Sequence, residues 1–485
     1  MLNPVLRPGA RPQRKPAGNA HRTLHVLATL LAVAVPSACA PDYDLVLEGG
    51  RVMDPESGLD AVRNVGIRDG RVEAISEQPL AGARTIDATG LVVAPGWVDL
   101  HRHGQRDAAY ELQVRDGVTT GLELEIGTPD VAEWYADREG GQLVNYGVAQ
   151  GHIGARARAM GDEVLGFGGA TSRQAATPEQ IDETARLIRE GLASGAIGVG
   201  FGSAYTPGAT MDEIERMFGV AATAGTMAFI HLRGGVVGLD STITAARNAG
   251  AALHVVHANS SGGARIEEFL EMIEAAQDAG QDVTTEAYPY AASQTGIQAA
   301  LFDDWETWED ERFGIYQWVR TGERLTRETF AKYREEGGSV IIHSRTEEMT
   351  LAAITHPIVM IASDGGTGHP RGAGTFSRIL GRYVREQGAL ELMDALARMT
   401  IRPAQRLESF VPALRGKGRI RVGSDADITV FDPETVIDRA TYLEGSLPSE
   451  GIEYVIVNGV VVIDGGELVD GVRPGRAVKA GAAGG

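Results

Sequence analysis

The chain has 485 residues, of which 43% are hydrophobic and 23% are charged, a balance that is ordinary for a large soluble enzyme. Its formal net charge of −20 argues against nucleic acid or an anionic membrane surface as a partner. Cys39 is the only cysteine, so disulfide bonds cannot link parts of the chain.

Residues 1–39 are predicted to be a signal peptide that does not belong to the fold. A basic segment precedes an uncharged apolar run over residues 24–35, which is too short to span a membrane and is typical of a secretory signal. A small residue stands directly before Cys39, so the segment resembles a bacterial lipoprotein signal; cleavage after Ala40 is the alternative. We therefore expect an exported, periplasmic protein that is anchored to the membrane through a lipid on Cys39.

Residues 43–94 are predicted to form the strands of a small β-domain. Alternating apolar segments on both sides of Asp69-Gly70 predict a β-hairpin with a two-residue turn. Residues 406–475 have the same strand-rich pattern. We therefore predict one β-sandwich domain that is assembled from both ends of the chain, followed by a flexible tail over residues 476–485.

Residues 95–405 alternate strand and helix patterns. Thr177-Pro178, for example, supplies a cap and a first-turn proline to a helix that ends at Gly195. Eight strand segments are predicted, and they lie near residues 97–103, 118–125, 143–149, 196–201, 226–231, 252–257, 283–288 and 358–364. This alternation predicts an α/β fold, a TIM-like (β/α)₈ barrel. The connection over residues 291–356 is long for one loop and predicts an inserted lid or subdomain.

Barrel enzymes carry their chemistry at the C-terminal ends of the strands. His101 and His103 follow the first strand and share one face of it, because successive side chains alternate. His231 ends the fifth strand, His257 ends the sixth, and Asp364 ends the eighth. Histidine and carboxylate groups gathered at one end of a barrel predict a site for a divalent metal.

Several motifs add a family resemblance to this pattern. The segment 94–103, which contains the His-x-His pair, resembles the amidohydrolase superfamily. Longer motifs over residues 198–208, 286–292 and 369–385 are similar to the N-acyl-D-amino-acid deacylases, and the similarity covers about residues 43–475. The resemblance implies hydrolysis of the acyl amide of N-acyl-D-amino acids, with N-acyl-D-glutamate among the candidates. It also implies one or two divalent ions, with Zn²⁺ as the expected metal.

The resemblance assigns roles to the residues at the strand ends. One metal position is expected at His101 and His103, with Asp364 close by, and the other at His231 and His257. Asp364 is the expected catalytic residue, which takes a proton from water and returns it to the leaving amine.

The resemblance also raises the question of what bridges the two positions. Superfamily members often use a carbamylated lysine, but none of the four lysines of this chain ends a barrel strand. Relatives commonly have a cysteine after the second strand, where Ile126 stands here. A carboxylate is then the expected bridge, and Glu125 is preferred over Glu123 because it is nearer the end of the strand. Glu123 is expected to have a partner deeper in the barrel.

Substrate contacts follow from the same resemblance. Arg371 and Tyr205 are expected to bind the free carboxylate of the substrate, a role that suits the bidentate geometry of arginine. Asn259 stands where relatives often have a lysine, which leaves the side-chain preference open. The weaker pocket candidates are Ser293 and Arg233, and the candidates for lining the site are His152, Glu123 and Asn259.

Two alternatives stay open at this point. Within the same superfamily, a cyclic-amide hydrolase or a dipeptidase would use the same metal centre. In another class, the chain would be an exported lipoprotein that binds metal without turnover. The expected partner is a small N-acyl amino acid, with no nucleic acid, and with membrane contact only through the lipid anchor. The acyl group, the D-side chain and the oligomeric state are left open by the sequence.

Overall fold

The computed structural model describes residues 42–166 and 168–481. The predicted signal peptide over residues 1–39, including Cys39, lies outside these ranges. Across the described ranges, no helix combines the length and the apolar character needed to cross a membrane.

Five strands begin the described part of the chain. They are β1 (Tyr43–Asp54), β2 (Leu59–Arg68), β3 (Arg71–Ser76), β4 (Gly82–Asp87) and β5 (Val92–Pro95). Strands β2 and β3 pair antiparallel across Asp69-Gly70, where the two φ angles are 52° and 77°. Two positive φ angles in a two-residue turn are typical of a type I′ hairpin. The predicted hairpin is therefore confirmed.

Eight parallel strands form the middle of the fold. The first seven are β6 (Trp97–Asp99), β7 (Val118–Thr128), β8 (Asn145–Gly151), β9 (Gly198–Gly202), β10 (Met227–His231), β11 (Ala252–Val255) and β12 (Val283–Ala287). An insertion then contributes β13 (Ser293–Gly296), β14 (Tyr316–Trp318) and β15 (Ser339–Ile342), and β16 (Val359–Ile361) completes the set. The eight strands hydrogen-bond in chain order, which confirms the predicted barrel.

Helices alternate with these strands. Up to β12 they are α1 (Asp107–Arg115), α2 (Val131–Ala136), α3 (His152–Ala159), α4 (Pro178–Ala193), α5 (Met211–Thr223), α6 (Gly235–Ala249), α7 (Ala258–Gly262) and α8 (Ile266–Asp278). After β12 they are α9 (Asp310–Phe313), α10 (Arg327–Glu336), α11 (Glu347–Thr355), α12 (Arg371–Arg378), α13 (Leu392–Met399) and α14 (Ile401–Leu407). A π-helix over Ile379–Glu386 continues α12. The predicted cap of α4 is confirmed, because the Thr177 side chain accepts a hydrogen bond from the Gln180 backbone N–H.

Asp99 joins the first and last strands of the barrel. Its Oδ1 accepts a hydrogen bond from the Ser363 backbone N–H at 2.9 Å, and its Oδ2 accepts one from Ser363 Oγ at 2.5 Å. Just beyond, the His103 backbone N–H donates to the Gly365 carbonyl at 2.7 Å. The residues that follow β6 and β16 are therefore held side by side.

The last four strands return to the first five. They are β17 (Ile428–Phe431), β18 (Ile452–Val457), β19 (Val460–Asp464) and β20 (Glu467–Leu468). Strand β17 pairs antiparallel with β5, so that strands from both ends of the chain form one nine-stranded sheet. The predicted β-domain built from both ends of the chain is therefore confirmed, and it has an apolar core of its own.

The insertion forms a small subdomain that is shorter than expected. Its three strands pair antiparallel in the order β13-β15-β14, and aromatic side chains such as Phe302, Phe313 and Phe330 form its core. Helix α11 packs against α8 and β16 as a barrel helix does. The expected range of 291–356 is therefore too long at its C-terminal end.

Residues 476–481 pack against the barrel. The Tyr146 backbone N–H donates to the Arg476 carbonyl at 3.1 Å, and the Val478 backbone N–H donates to the Tyr146 carbonyl at 2.7 Å. Val478 is only 1% exposed. The predicted flexible tail over residues 476–485 is therefore wrong for its described part, because the Val478 side chain is buried beside the start of β8.

Trp97 lies where the barrel meets the terminal sheet. Its Nε1 donates a hydrogen bond to the Asp116 carbonyl at 2.8 Å, and its ring centroid lies 6.1 Å from that of Phe431. Gly117 packs against the indole with a φ of +86°, and a Cβ at this position would lie 2.2 Å from Trp97 Nε1. Both the conformation and the space require glycine.

We predict that Gly117→Ala lowers the free energy of unfolding by about 2–4 kcal/mol, because backbone strain and a clash add together. Gly90→Ala is the matched control, since Gly90 has a φ of +83° and a Cβ added there would meet no atom within 4 Å. That variant should lose only about 1 kcal/mol. Urea denaturation measures both values, and equal losses would contradict a specific role for the indole contact.

Candidate metal centre

Four histidine side chains meet at the C-terminal end of the barrel. His101 and His103 follow β6, and their Nε2 atoms lie 3.1 Å apart. His231 ends β10 and His257 follows β11, and His231 Nδ1 lies 2.9 Å from His257 Nε2. These four residues were expected from the sequence in two pairs, and the structure brings the same pairs together.

The carboxylate of Glu125 lies between the two histidine pairs. Its Oε2 is 2.9 Å from His103 Nε2 and 3.2 Å from His101 Nε2. Its Oε1 is 2.7 Å from His231 Nδ1 and 3.2 Å from His257 Nε2. One oxygen therefore faces each pair, which is the arrangement of a bridging carboxylate. The structure places Glu125, and not Glu123, at this position.

The donor atoms of this cluster fit divalent metal ions. Two groups of three donors, which share Glu125, each have their ligand atoms within 4.8 Å of one another. Imidazole nitrogens and a carboxylate oxygen are ligands that zinc and similar cations prefer. Glu125 is 3% exposed and His101 is fully buried, so a cation would offset the cost of burying these groups together. The site therefore has the chemistry for one or two ions.

A second layer of side chains orients the histidines. His101 Nδ1 lies 2.8 Å from Glu286 Oε1, and His103 Nδ1 lies 2.9 Å from Glu123 Oε2. Glu286 also accepts a hydrogen bond from the His257 backbone N–H at 2.8 Å. Such outer contacts fix the ring orientation and the tautomer of histidines that bind metals.

The roles of Glu123 and Glu286 differ from what the sequence predicted. Glu123 was expected to have a partner deeper in the barrel, which is wrong, because it contacts His103 at the rim of the site. Glu286 was not recognised from the sequence as a functional residue. The signal in the sequence was an acidic side chain inside strand β12, where a buried and unpaired carboxylate would be costly.

Asp364 lies beside the first histidine pair. Its Oδ1 is 3.4 Å from Nε2 of both His101 and His103, and its Oδ2 is 2.6 Å from Arg371 Nη1. Burial alone would raise the pKa of the Asp364 carboxyl, but the Arg371 guanidinium and His101 outweigh it and hold this pKa below its usual range. The carboxylate is therefore ionised at neutral pH and can accept a proton.

Two residues of the site have a strained backbone. His257 has a φ of +37° and Asp364 a φ of +47°, values that are uncommon for residues other than glycine. Strain of this kind persists only where the surrounding contacts hold it, and it is frequent at functional sites. His257 follows β11 and Asp364 follows β16, and at these two positions the side chains enter the cluster.

A cavity of about 700 Å³ opens above the cluster. Four expected substrate contacts line it, namely Arg371, Tyr205, Ser293 and Arg233. The Tyr205 ring lies 4.7 Å from the ring of His231, and Thr295 Oγ1 donates to its hydroxyl at 3.2 Å. The Arg233 guanidinium donates to the carbonyls of Pro207 and Ala209, so it holds a loop of the wall.

Two expected lining residues lie away from the cavity. His152 is fully buried, and its Nε2 lies 3.1 Å from Glu213 Oε1, an oxygen that also accepts a hydrogen bond from Arg156. Asn259 donates from Nδ2 to the Tyr288 carbonyl at 2.9 Å. The expectation that His152 and Asn259 line the site is therefore wrong, because buried polar partners hold both side chains elsewhere.

Several known proteins are similar to this chain. The model of a family described as "Amidohydrolase family" matches residues 84–463. The chain is 32% identical to N-acyl-D-glutamate deacylase of Alcaligenes xylosoxydans xylosoxydans, over 90% of this chain and 96% of the relative.

Solved structures are similar as well. One is N-acyl-D-glutamate deacylase from Bordetella bronchiseptica, complexed with zinc and a phosphonate inhibitor that mimics the tetrahedral intermediate. It is 27% identical with a TM-score of 0.79, and the match covers 90% of this chain and all of that one. Another is a D-aminoacylase with a binuclear metal centre, which is 26% identical with a TM-score of 0.75 and the same coverage.

We predict that Glu125→Ala lowers the amount of bound metal, because each half of the cluster loses a ligand atom. Glu123→Gln is the matched control on the same strand. It should keep the full metal content but weaken affinity by about 10- to 100-fold, as expected when an outer contact to a histidine is altered. Elemental analysis and a chelator titration measure these quantities. Full metal content in Glu125→Ala, with loss in Glu123→Gln, would reverse the two roles.

Proposed function

The chain belongs to the amidohydrolase family, and from this premise we propose that it hydrolyses the acyl amide bond of N-acyl-D-amino acids, releasing a carboxylate and a free D-amino acid. One observation carries the proposal. Asp364 contacts the first histidine pair through one oxygen and Arg371 through the other, inside a single cavity. A proton acceptor, a metal position and a carboxylate-binding cation therefore lie next to one another.

The spacing of Asp364 and Arg371 suits an N-acyl amino acid. In such a substrate only one carbon separates the amide nitrogen from the free carboxylate. The cation that binds this carboxylate must therefore lie close to the group that protonates the nitrogen. The 2.6 Å contact between Arg371 and Asp364 meets that requirement. Arginine also suits the planar carboxylate, because its guanidinium can donate two parallel hydrogen bonds.

The other residues of the site would bind the metal and transfer the proton. His101, His103, His231, His257 and Glu125 would hold the divalent metal, for which we infer zinc. Such a metal lowers the pKa of a bound water towards about 7 and polarises a carbonyl. Asp364 takes the proton from the attacking water and passes it to the amine nitrogen, which would otherwise leave as an unstable anion. The subdomain over β13–β15 contributes Ser293 and Ser339 to one side of the cavity.

The proposal predicts that zinc-loaded protein hydrolyses N-acetyl-D-amino acids and leaves the L-enantiomers uncleaved. Asp364→Asn should lower kcat by about 10²- to 10⁴-fold, the usual contribution of an acid–base group. Amine release measures the rates, and metal analysis of the same samples shows whether the variant keeps its metal. A variant with more than a tenth of the wild-type rate would contradict the role of Asp364.

The same screen tests the alternatives. A hydantoin, a dihydropyrimidine and a dipeptide are included as substrates. Cleavage of one of these without cleavage of any N-acyl-D-amino acid would favour a cyclic-amide hydrolase or a dipeptidase. Metal binding without turnover of any compound would favour the binding protein.

We also propose that the protein is exported and anchored to the membrane through a lipid on Cys39. The support is the sequence of residues 1–39, in which a basic segment and a short apolar run precede a small residue and the only cysteine.

We predict that Cys39→Ser releases the protein from the membrane fraction, because the lipid-bearing thiol is lost. Fractionation of the producing cells with an antibody to the protein measures the distribution. Unchanged membrane association of the variant would contradict lipidation. A cytosolic wild-type protein would contradict export.

A further inference from the structure

Three arginines line the cavity, and their guanidinium groups have different hydrogen-bond and ion-pair partners. Arg371 contacts the Asp364 carboxylate at 2.6 Å. Arg233 donates to the backbone carbonyls of Pro207 and Ala209. Arg345, which lies between β15 and α11, is the third. Its surroundings set it apart from the other two.

The guanidinium of Arg345 donates its hydrogen bonds to neutral groups. Its Nη2 donates to the Tyr288 hydroxyl at 2.8 Å and to the Tyr290 carbonyl at 3.4 Å. Its Nη1 donates to Ser260 Oγ at 3.4 Å. Its Nε is buried and has no hydrogen-bond partner. Among residues 42–166 and 168–481, no carboxylate lies within ion-pair distance of Arg345.

This arrangement is costly unless an anion completes it. A guanidinium that is partly buried without a countercharge, with one N–H unsatisfied, loses the favourable hydration of its charge. A carboxylate that enters the cavity can accept hydrogen bonds from two guanidinium nitrogens at once. We therefore expect Arg345 to bind an anionic group of a ligand in the cavity.

The position of Arg345 relative to Arg371 narrows the choice of anion. The Cζ of Arg345 lies 5.5 Å from the centroid of the Tyr288 ring, and the Cζ of Arg371 lies 4.6 Å from the same centroid. The two guanidinium carbons therefore lie at most about 10 Å apart. A ligand with one carboxylate for each arginine would carry its two anionic groups within that distance.

We infer that Arg345 binds a carboxylate on the side chain of the substrate, so that the preferred substrates are N-acyl derivatives of acidic D-amino acids. The inference rests on the proposed function, in which Arg371 binds the α-carboxylate. Arg345 comes from the inserted segment rather than from a barrel strand, so this segment sets the side-chain preference.

The experiment compares each acid with its own amide. N-acetyl-D-glutamate and N-acetyl-D-aspartate are assayed against N-acetyl-D-glutamine and N-acetyl-D-asparagine, which have nearly the same shape and lack the second charge. The measured quantity is the ratio of kcat/KM for the acid to that for the amide. In the wild type, this ratio should exceed one for at least one of the two pairs.

Arg345→Met should lower this ratio by about 10- to 100-fold, because a charge-assisted hydrogen bond is lost with the acid only. Arg345→Lys should retain part of the preference, since it keeps the charge without the bidentate geometry. Arg324→Met is the matched control, which removes a cation of the same inserted subdomain that does not line the cavity. It should leave the ratio unchanged, because the Arg324 guanidinium donates to the backbone carbonyls of Gly314 and Ile315.

Three results would overturn the inference. They are a wild-type ratio at or below one for both pairs, an unchanged ratio in Arg345→Met, and an equal fall for acid and amide in that variant. The wild-type ratio decides the question even if Arg345→Met fails to fold. A wild type that cleaves amides as well as acids would leave the proposed function intact. A wild type that cleaves no N-acyl-D-amino acid would instead remove the proposed function itself.

Discussion

The carboxylate of Glu125 is the group on which the whole site depends, because both histidine pairs converge on it. The four histidines and Glu125 each have a donor atom within about 3.2 Å of a neighbouring donor atom. Burial alone would raise the pKa of Glu125, but His101, His103 and His231 hold this pKa well below its usual range. Strands β6, β7, β10 and β11 bring these groups together because the parallel strands of a nearly closed barrel end at one rim.

Holding these groups in place requires further polar contacts behind them. Glu286 spans two strands, since it contacts the His101 ring and the His257 backbone. Asp99 joins β6 to the segment after β16, which keeps Asp364 next to the first histidine pair. The positive φ angles of His257 and Asp364 are maintained by these contacts. The chemistry of the rim therefore depends on hydrogen bonds that do not themselves touch the substrate.

The sequence predicted the barrel and the inner histidines because strand periodicity and strand ends are local features. The choice of Glu125 over Glu123 also followed from position along β7. The acidic residue inside β12 was a signal for Glu286, but its partners could not be identified, because they are 185 and 29 residues away in the chain. His152 was assigned to the site from its place after β8, yet its contact with Glu213 depends on the packing of α5 against that region. Contacts between elements that are distant in the chain explain why the roles of Glu286 and His152 were missed.

The two parts of the cavity have different structural origins. The barrel strands supply the groups that would act on the amide, and their positions are fixed by hydrogen bonds between neighbouring strands from β6 to β16. The inserted segment between β12 and β16 supplies the wall opposite them, including Ser293 and Arg345. The aromatic core of the subdomain also includes Ile153 and Tyr205 of the barrel, so the two parts of the cavity pack against each other. The overall charge of −20 makes the local placement of cations decisive, since an anionic substrate is otherwise repelled at long range.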